Sequence, residues 1–347
     1  MASETLDPTT EEPPRPRRWI PLSFWMFAAL LAFLGIWCVW LGARAYRQMV
    51  AIREIEQAGG AVFTKKAGPE WLRARVGDEW MRSLDKVVFV DFYGCDVQAV
   101  MPRLREFAQL ETLRLDDTSV TDAELVNLKE LTKLTRLSLD DTSVSDAGLE
   151  HLQGLSRLKS LSLQNTAVTD AGLKHLRGLR NLEELHIENV KKTMSLLGVM
   201  EEVLENLKIT DSGLEHIAGL PRLELLSLRG TQVTDAGLVH LKKLTSLKYL
   251  WLDKTHVTDE GLAQLNGLTE LVFLSLRYTQ ITDAGLVHLK GLPRLGMGTE
   301  SYLDPTAPGY KQGSLDLDGT YVTDAGIAEL QKALPDLQIW ANLRRMQ

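Results

Sequence analysis

Five of the seven histidines, His151, His175, His216, His240 and His288, occupy the same place in a recurring G-L-x-H-[L/I] string. Imidazole is a good metal ligand, so a ladder of imidazoles spaced one repeat apart offers nitrogen donors in a row. A metal centre also needs companion ligands, and no Cys or carboxylate recurs at ligand spacing. The position is duplicated with the string around it and reads as a partly solvated place beside core leucines. A recurring Thr-Asp pair brings a carboxylate at the same period, but it stands where a helix begins. There Thr serves as N-cap and Asp suits the helix dipole. No nucleophile elbow, phosphate loop or zinc-protease signature is present. The sequence therefore predicts no catalytic residue, no metal and no cofactor. It does not read as an enzyme.

What remains for chemistry is recognition. Residues alternating with leucine on short strands face away from the core, and they change character along the chain. The early ones are polar and mainly acidic: Arg114, Asp116, Asp117, Arg136, Asp140, Asp141, Glu184, His186 and Glu188. The later ones are Arg229, Tyr249, Trp251, Asp253, Phe273, Arg277 and Tyr278. Aromatic residues with Arg neighbours are the types enriched at binding hot spots, so this second set is the predicted partner-binding surface. The reading requires Trp251 and Phe273 to be exposed on adjacent rungs. The formal net charge of -7 argues against nucleic acid, which needs clustered Lys and Arg.

The elements that position these residues come from an internal repeat of 24 residues. Asp117-Thr-Ser-Val-Thr-Asp-Ala-Glu-Leu125 returns as Asp141–Leu149, Asn165–Leu173, Gly230–Leu238, Lys254–Leu262 and Tyr278–Leu286. A shortened copy ends at Leu214 and a last one at Ile327, which makes eight. L-x-x-L-x-L precedes each copy, as in Leu134, Leu137 and Leu139, and its alternation is the period of a strand with one buried face. After Thr-Asp, leucines such as Leu149, Leu152 and Leu155 recur every three residues along one helix face. Thr121 and Glu124 have capping-box spacing. Each unit is thus strand, tight turn, short helix and return. One unit cannot bury its apolar face alone, so the copies must stack into a solenoid with a parallel sheet.

Over residues 85–340 the pattern resembles the leucine-rich-repeat family. The T-D-x-G-L form is similar to a subclass also found in ubiquitin-ligase adaptors, whose repeats carry Cys or Asn where Thr118, Thr142, Thr166, Thr231, Thr255, Thr279 and Thr320 stand. A threonine ladder satisfying backbone groups at the turn is expected in their place. The arrangement also resembles bacterial single-pass repeat proteins, in which a segment like Arg47–Phe63 follows a membrane helix. The resemblance implies an α/β leucine-rich-repeat solenoid, with the sheet on the concave face and short helices on the convex one.

Residues 1–18 read as a disordered tail. Trp19 to Ala43 holds 25 uncharged residues, about 37 Å as a helix, which is enough to span a hydrocarbon core of about 30 Å. Trp19, Trp37 and Trp40 lie near its two ends, where indoles favour the membrane interfaces. Ala43-Arg44-Ala45 has the form of a signal cleavage site, but the apolar run exceeds a signal core of about 7–15 residues. A single-pass anchor is expected. Arg15, Arg17 and Arg18 abut the run and Arg44, Arg47 and Arg53 follow it, so the charge count is tied. By analogy with a signal anchor the repeats are expected on the non-cytoplasmic side. Cys38 lies in this run and Cys95 in the repeat region, so no disulfide framework is expected.

Residues 44–84 read as a neck and the start of a cap. A helix over 45–57 carries Met49, Ile52 and Ile55 on one stripe, with Gly59-Gly60 as its stop. A short strand at Val62-Phe63 follows, then a helical stretch from Pro69 to Met81 with Trp71, Leu72 and Trp80 as core candidates. Val88, Val90 and Phe92 alternate as the first strand of the solenoid, which spans 85–347. Insertions near 190–207 and 296–313 each add 17 residues to the period. Leu196, Met200, Val203, Leu204 and Leu207 give the first a helical spacing, while Gly and Pro mark the second as a loop. The expected function is a membrane-anchored interaction module that binds a protein, peptide or glycan on its concave face. The alternatives are a ubiquitin-ligase-type adaptor, whose helical adaptor-binding module would have to sit where the apolar run is, and a passive envelope protein.

Overall fold

A computed structural model describes residues 22–194, 200–204, 208–297 and 314–341. The predicted tail and the core of the second insertion lie outside the described residues. The chain divides into two units, Met1–Arg47 and Gln48–Gln347. In the first, helix α1 (Leu22–Gln57) begins. Trp25, Phe33, Ile36 and Val39 on it are all more than half exposed. By length and composition this helix could cross a membrane.

In the second unit the leucine pattern yields one sheet. Strands β1 (Ala61–Lys65), β2 (Lys86–Asp91), β3 (Thr112–Arg114), β4 (Arg136–Ser138), β5 (Ser160–Ser162) and β6 (Glu184–His186) come first. After a hairpin of β7 (Val190–Met194) and β8 (Met200–Leu204) come β9 (Leu225–Ser227), β10 (Tyr249–Trp251), β11 (Phe273–Ser275), β12 (Ser314–Asp316) and β13 (Gln338–Trp340). β1 is antiparallel to β2, and every other neighbour in the sheet is parallel. The central leucines stay in register from rung to rung: Leu113 faces Leu137, then Leu161, Leu185, Leu226, Leu250, Leu274 and Leu315. Nearly all are fully buried, each stabilising by roughly 2 kcal/mol through the water it leaves. Short helices such as Asp170–Leu173 and Asp235–Leu241 return the chain on the other side. The fold is a leucine-rich-repeat solenoid.

The turns after β3, β4, β5, β9, β10, β11 and β12 each hold one left-handed residue: Asp117, Asp141, Asn165, Lys254 and Tyr278 adopt φ of 53–56° there, with Gly230 and Gly319 in the same place. Asp, Asn and Gly tolerate that conformation; Lys and Tyr do so at a cost. The following threonine makes the expected ladder. Thr118 Oγ1 donates to the Leu115 carbonyl at 2.6 Å, and Thr142, Thr166, Thr231, Thr255, Thr279 and Thr320 repeat the bond three residues back at 2.6–2.8 Å.

The T-D-x-G-L string works across rungs as well as within them. Asp122 accepts the backbone N–H of Ser145 on one carboxylate oxygen at 2.7 Å and its hydroxyl on the other at 2.5 Å. Asp146 does the same for Thr169, Asp170 for Thr210, Asp211 for Thr234, Asp235 for Thr258, Asp259 for Thr282 and Asp283 for Thr323. The glycine of the upper rung leaves room for that carboxylate. A Cβ at Gly172, Gly213, Gly237, Gly261, Gly285 or Gly326 would fall on the aspartate oxygen of the rung before. The first unit has Glu124 where the others have Gly. Its carboxylate instead accepts the N–H and hydroxyl of its own Thr121 at 2.9 and 2.6 Å, the predicted capping box.

Four expectations change. On the neck, Ala51, Ile52 and Ile55 are buried while Met49 is exposed, because Gln48 turns inward and donates to the Asp85 carbonyl at 2.7 Å. Trp71 is not core but 68% exposed, and Leu72 is half-buried. Arg73, two positions on, takes the inward place beside Asp85. The Trp80 side chain is outside the described set. In β2 the pairing with β1 slips between Phe63 and Thr64, which leaves Val88 as the extra residue. The buried set is therefore Val87, Val90 and Phe92, and Val88 is half-buried. The first insertion is not helical. Val190–Met194 pairs antiparallel with Met200–Leu204 so that Lys192 lies opposite Glu202, while β6 pairs directly with β9. Apolar spacing over so short a run fits a helix or a strand alike, and antiparallel pairing decided it. Leu196 and Leu207 lie outside the described residues.

Candidate interaction surface

Three outward columns run across the sheet, because parallel strands in register place equivalent residues about 4.8 Å apart. The column at the first strand position reads Thr112, Arg136, Ser160, Glu184, Leu225, Tyr249, Phe273. The next, at the third position, reads Asp91, Arg114, Ser138, Ser162, His186, Ser227, Trp251, Ser275, Asp316, Trp340. Just beyond the strands stand Asp116, Asp140, Gln164, Glu188, Arg229, Asp253, Arg277 and Asp318.

These columns divide the sheet into two halves. On β3 and β4, Arg114, Arg136, Asp117 and Asp141 are exposed. Arg114 is held between Asp91 and Asp116 at 3.3 and 3.4 Å. Asp140 accepts the Ser162 hydroxyl at 2.5 Å and the Gln164 N–H at 2.9 Å on the same oxygen. Burial pushes its carboxyl up to about 6, and the neighbouring Asp116 adds to the rise. Burial likewise raises Asp116 itself.

The other half is closed. Tyr249, Trp251 and Phe273, predicted to form an open patch, are 4%, 6% and 2% exposed. With Leu225 and Val272 they form a second apolar cluster apart from the leucine core. Trp251 stands between the two other rings, with centroids 6.4 Å from Tyr249 and 4.9 Å from Phe273. Aromatic side chains on neighbouring rungs bury one another, so strand alternation shows which face a residue takes but not whether that face is wet. Tyr278 remains 44% exposed, at the left-handed turn position. Its ring lies 5.8 Å from both Lys254 Nζ and the Arg277 guanidinium.

Beside the aromatic cluster runs an ionic chain that sequence reasoning did not assemble. Arg229 reaches Glu188 at 3.3 Å and the buried Asp253 at 2.8 Å. Asp253 also accepts the Ser275 hydroxyl and the Arg277 N–H, the latter at 3.1 Å. Arg277 then pairs with Asp318 at 3.0 Å. Burial pushes the Asp253 carboxyl up to about 6 although Arg229 pulls it down. At Glu188 burial acts upward, but the His186 bond and the Arg229 charge outweigh it and leave the carboxyl below its ordinary range. His186, 3.8 Å from Glu188, is raised in turn, its burial overcome by that carboxylate. The alternation of signs at rung spacing from Glu188 to Asp318 was the available signal.

The histidines of the repeat stay apart on the return side. His175 Nδ1 meets Gln153, and His216 Nδ1 meets Arg177 at 2.6 Å. Among the described residues, no group of three metal-ligating side chains converges.

No protein-family model matches the sequence, and no curated protein matches it either. Among solved structures, an internalin (inlF) from Listeria monocytogenes is 21% identical over 71% of this chain and 71% of that one, with a TM-score of 0.46. An internalin C2 from the same organism is 22% identical over 66% of this chain and 78% of that one, with a TM-score of 0.40.

Proposed function

We propose that this chain is a membrane-tethered interaction module that holds a protein partner against its concave sheet. The observation that carries the reading is the open half of that sheet. From β3 to β6 the inward positions are all Leu, while the outward ones vary from rung to rung and are built into no apolar core. Asp116, Asp117, Asp140, Asp141 and Glu184 outnumber Arg114 and Arg136 there, so the partner segment is basic. Of the seven residues predicted from sequence, Arg277 and Tyr278 extend the surface, being the two with substantial exposure. The other five brace the closed half.

The test begins with proximity labelling from the C-terminal end of the chain in its native cell, which names partner and compartment together. Asp117→Asn with Asp141→Asn, which removes both charges and keeps a residue that tolerates the left-handed turn, should then weaken capture of that partner several-fold while the circular dichroism spectrum and melting midpoint stay as they were. Capture at unchanged strength by the folded double variant would sink the assignment. Protease digestion of intact cells tests the side of the membrane: with the solenoid outside, it is cut without lysis.

A further inference from the structure

The part of the cap that hangs from Asp85 carries an exposed indole and bases that, among the described residues, make no ion pair. Asp85 is 4% exposed and gathers three contacts. Its carbonyl accepts Gln48 Nε2 at 2.7 Å, its carboxylate accepts the Ala67 N–H at 2.8 Å, and Arg73 pairs with the same oxygen. These bonds fix the segment Ala67–Arg73 against Gln48, which follows the last residue of the uncharged run, Ala43, by five residues in the chain. With Arg73 turned inward, its neighbours on helix α2 (Glu70–Val76) turn outward. Trp71 is left 68% exposed and Arg75 lies one helical turn further along the same face, exposed as well. Lys65 and Lys66 at the end of β1 are also exposed, and among the described residues neither these nor Arg75 makes an ion pair. An indole in water is an unfavourable place for so large an apolar group. At a bilayer interface it is a favoured one, and Lys and Arg side chains near anionic headgroups are attracted to them.

We infer that Trp71, Lys65, Lys66 and Arg75 form a lipid-contacting surface that seats the cap on anionic headgroups beside the point where the chain leaves the bilayer. The inference rests on the reading of the Trp19–Ala43 run as a membrane anchor. The indole enters the interface, and the three bases meet phosphate oxygens.

The experiment uses the full chain in liposomes of phosphatidylcholine, with and without about one third phosphatidylserine, both containing brominated acyl chains as a depth-sensitive quencher of indole emission. Wild type and Trp71→Phe are compared, because the difference isolates Trp71 from the other tryptophans. The quenched difference should be present with phosphatidylserine and fall several-fold in phosphatidylcholine alone. The triple variant Lys65→Gln, Lys66→Gln, Arg75→Gln should abolish the dependence on anionic lipid. Equal quenching in wild type and Trp71→Phe in both lipids would overturn the inference. Carbonate extraction of the same liposomes separates the two readings. Chain released by carbonate means the anchor has failed, whereas chain retained without the Trp71 signal means only the lipid-contacting surface has failed. Melting midpoints of the variants, expected to match wild type, guard against loss of fold.

Discussion

Asp146 holds Thr169 of the next rung with both carboxylate oxygens, one on the backbone N–H at 2.7 Å and one on the hydroxyl at 2.6 Å. Gly172 lies over that carboxylate with no room for a Cβ. The recurring Asp, Thr and Gly are therefore parts of a single joint between rungs.

That joint predicts non-additivity. Gly237→Ala should destabilise by about 1–3 kcal/mol, because the methyl group falls on Asp211 and breaks its bonds to Thr234. Asp211→Ala should cost a similar amount by orphaning the Thr234 N–H. The double variant should be no worse than either single one, since the clash and the bonds are the same interaction. Denaturant unfolding of the four proteins measures this, and simple addition of the two losses would contradict the joint.

Asp140 predicts a pH effect of known sign. Its folded pKa of about 6 lies above the ordinary 3.8, so the folded state binds more protons between those values. The stability linked to that proton is fully present below about pH 4 and is lost as pH rises through about 6. Asp140→Asn keeps an oxygen for Ser162 and Gln164 and should remove the loss. The variant should gain about 3 kcal/mol at pH 8 and nothing at pH 4. Melting curves across that range check it, and equal gains at both ends would contradict the assignment.

Gly319 combines two constraints, a φ of 71° and the Tyr278 ring lying where its Cβ would go. Gly319→Ala should cost about 2 kcal/mol. Adding Tyr278→Ala should recover the steric part and leave the backbone part, roughly 1 kcal/mol. Chemical denaturation of the single and double variants separates the two.

Trp251 distinguishes a braced cluster from an open patch. At 6% exposure, with two rings against it, Trp251→Ala should lower stability by about 3–5 kcal/mol. An exposed tryptophan would cost less than about 0.5 kcal/mol. A melting midpoint within a degree of wild type would restore the open patch.

Much of the fold was written in periodicity. A leucine alternation repeated at fixed spacing has only one way to bury its apolar face, so strand, turn, helix and stacking followed from Leu134, Leu137, Leu139 and their copies. The threonine ladder was legible too, since a hydroxyl three residues from a carbonyl is a local matter. The Asp-to-Thr joint was not, although every residue of it stood in the repeat. Its partners come from successive rungs, and a single copy of the string shows only a helix start.

The sequence by itself determined which side chains face the core and which face outward, because the strand period of two is a property of the backbone. Only the tertiary structure decided which outward residues meet water. Arg114 and Arg136 stand on open rungs, whereas Trp251 and Phe273 bury one another and Arg229 is drawn between Glu188 and Asp253. Trp71 shows the reverse. Its size marked it for the core, but Asp85 claims the inward place for Arg73, and a buried carboxylate that needs a base outweighs an indole that merely prefers to leave water.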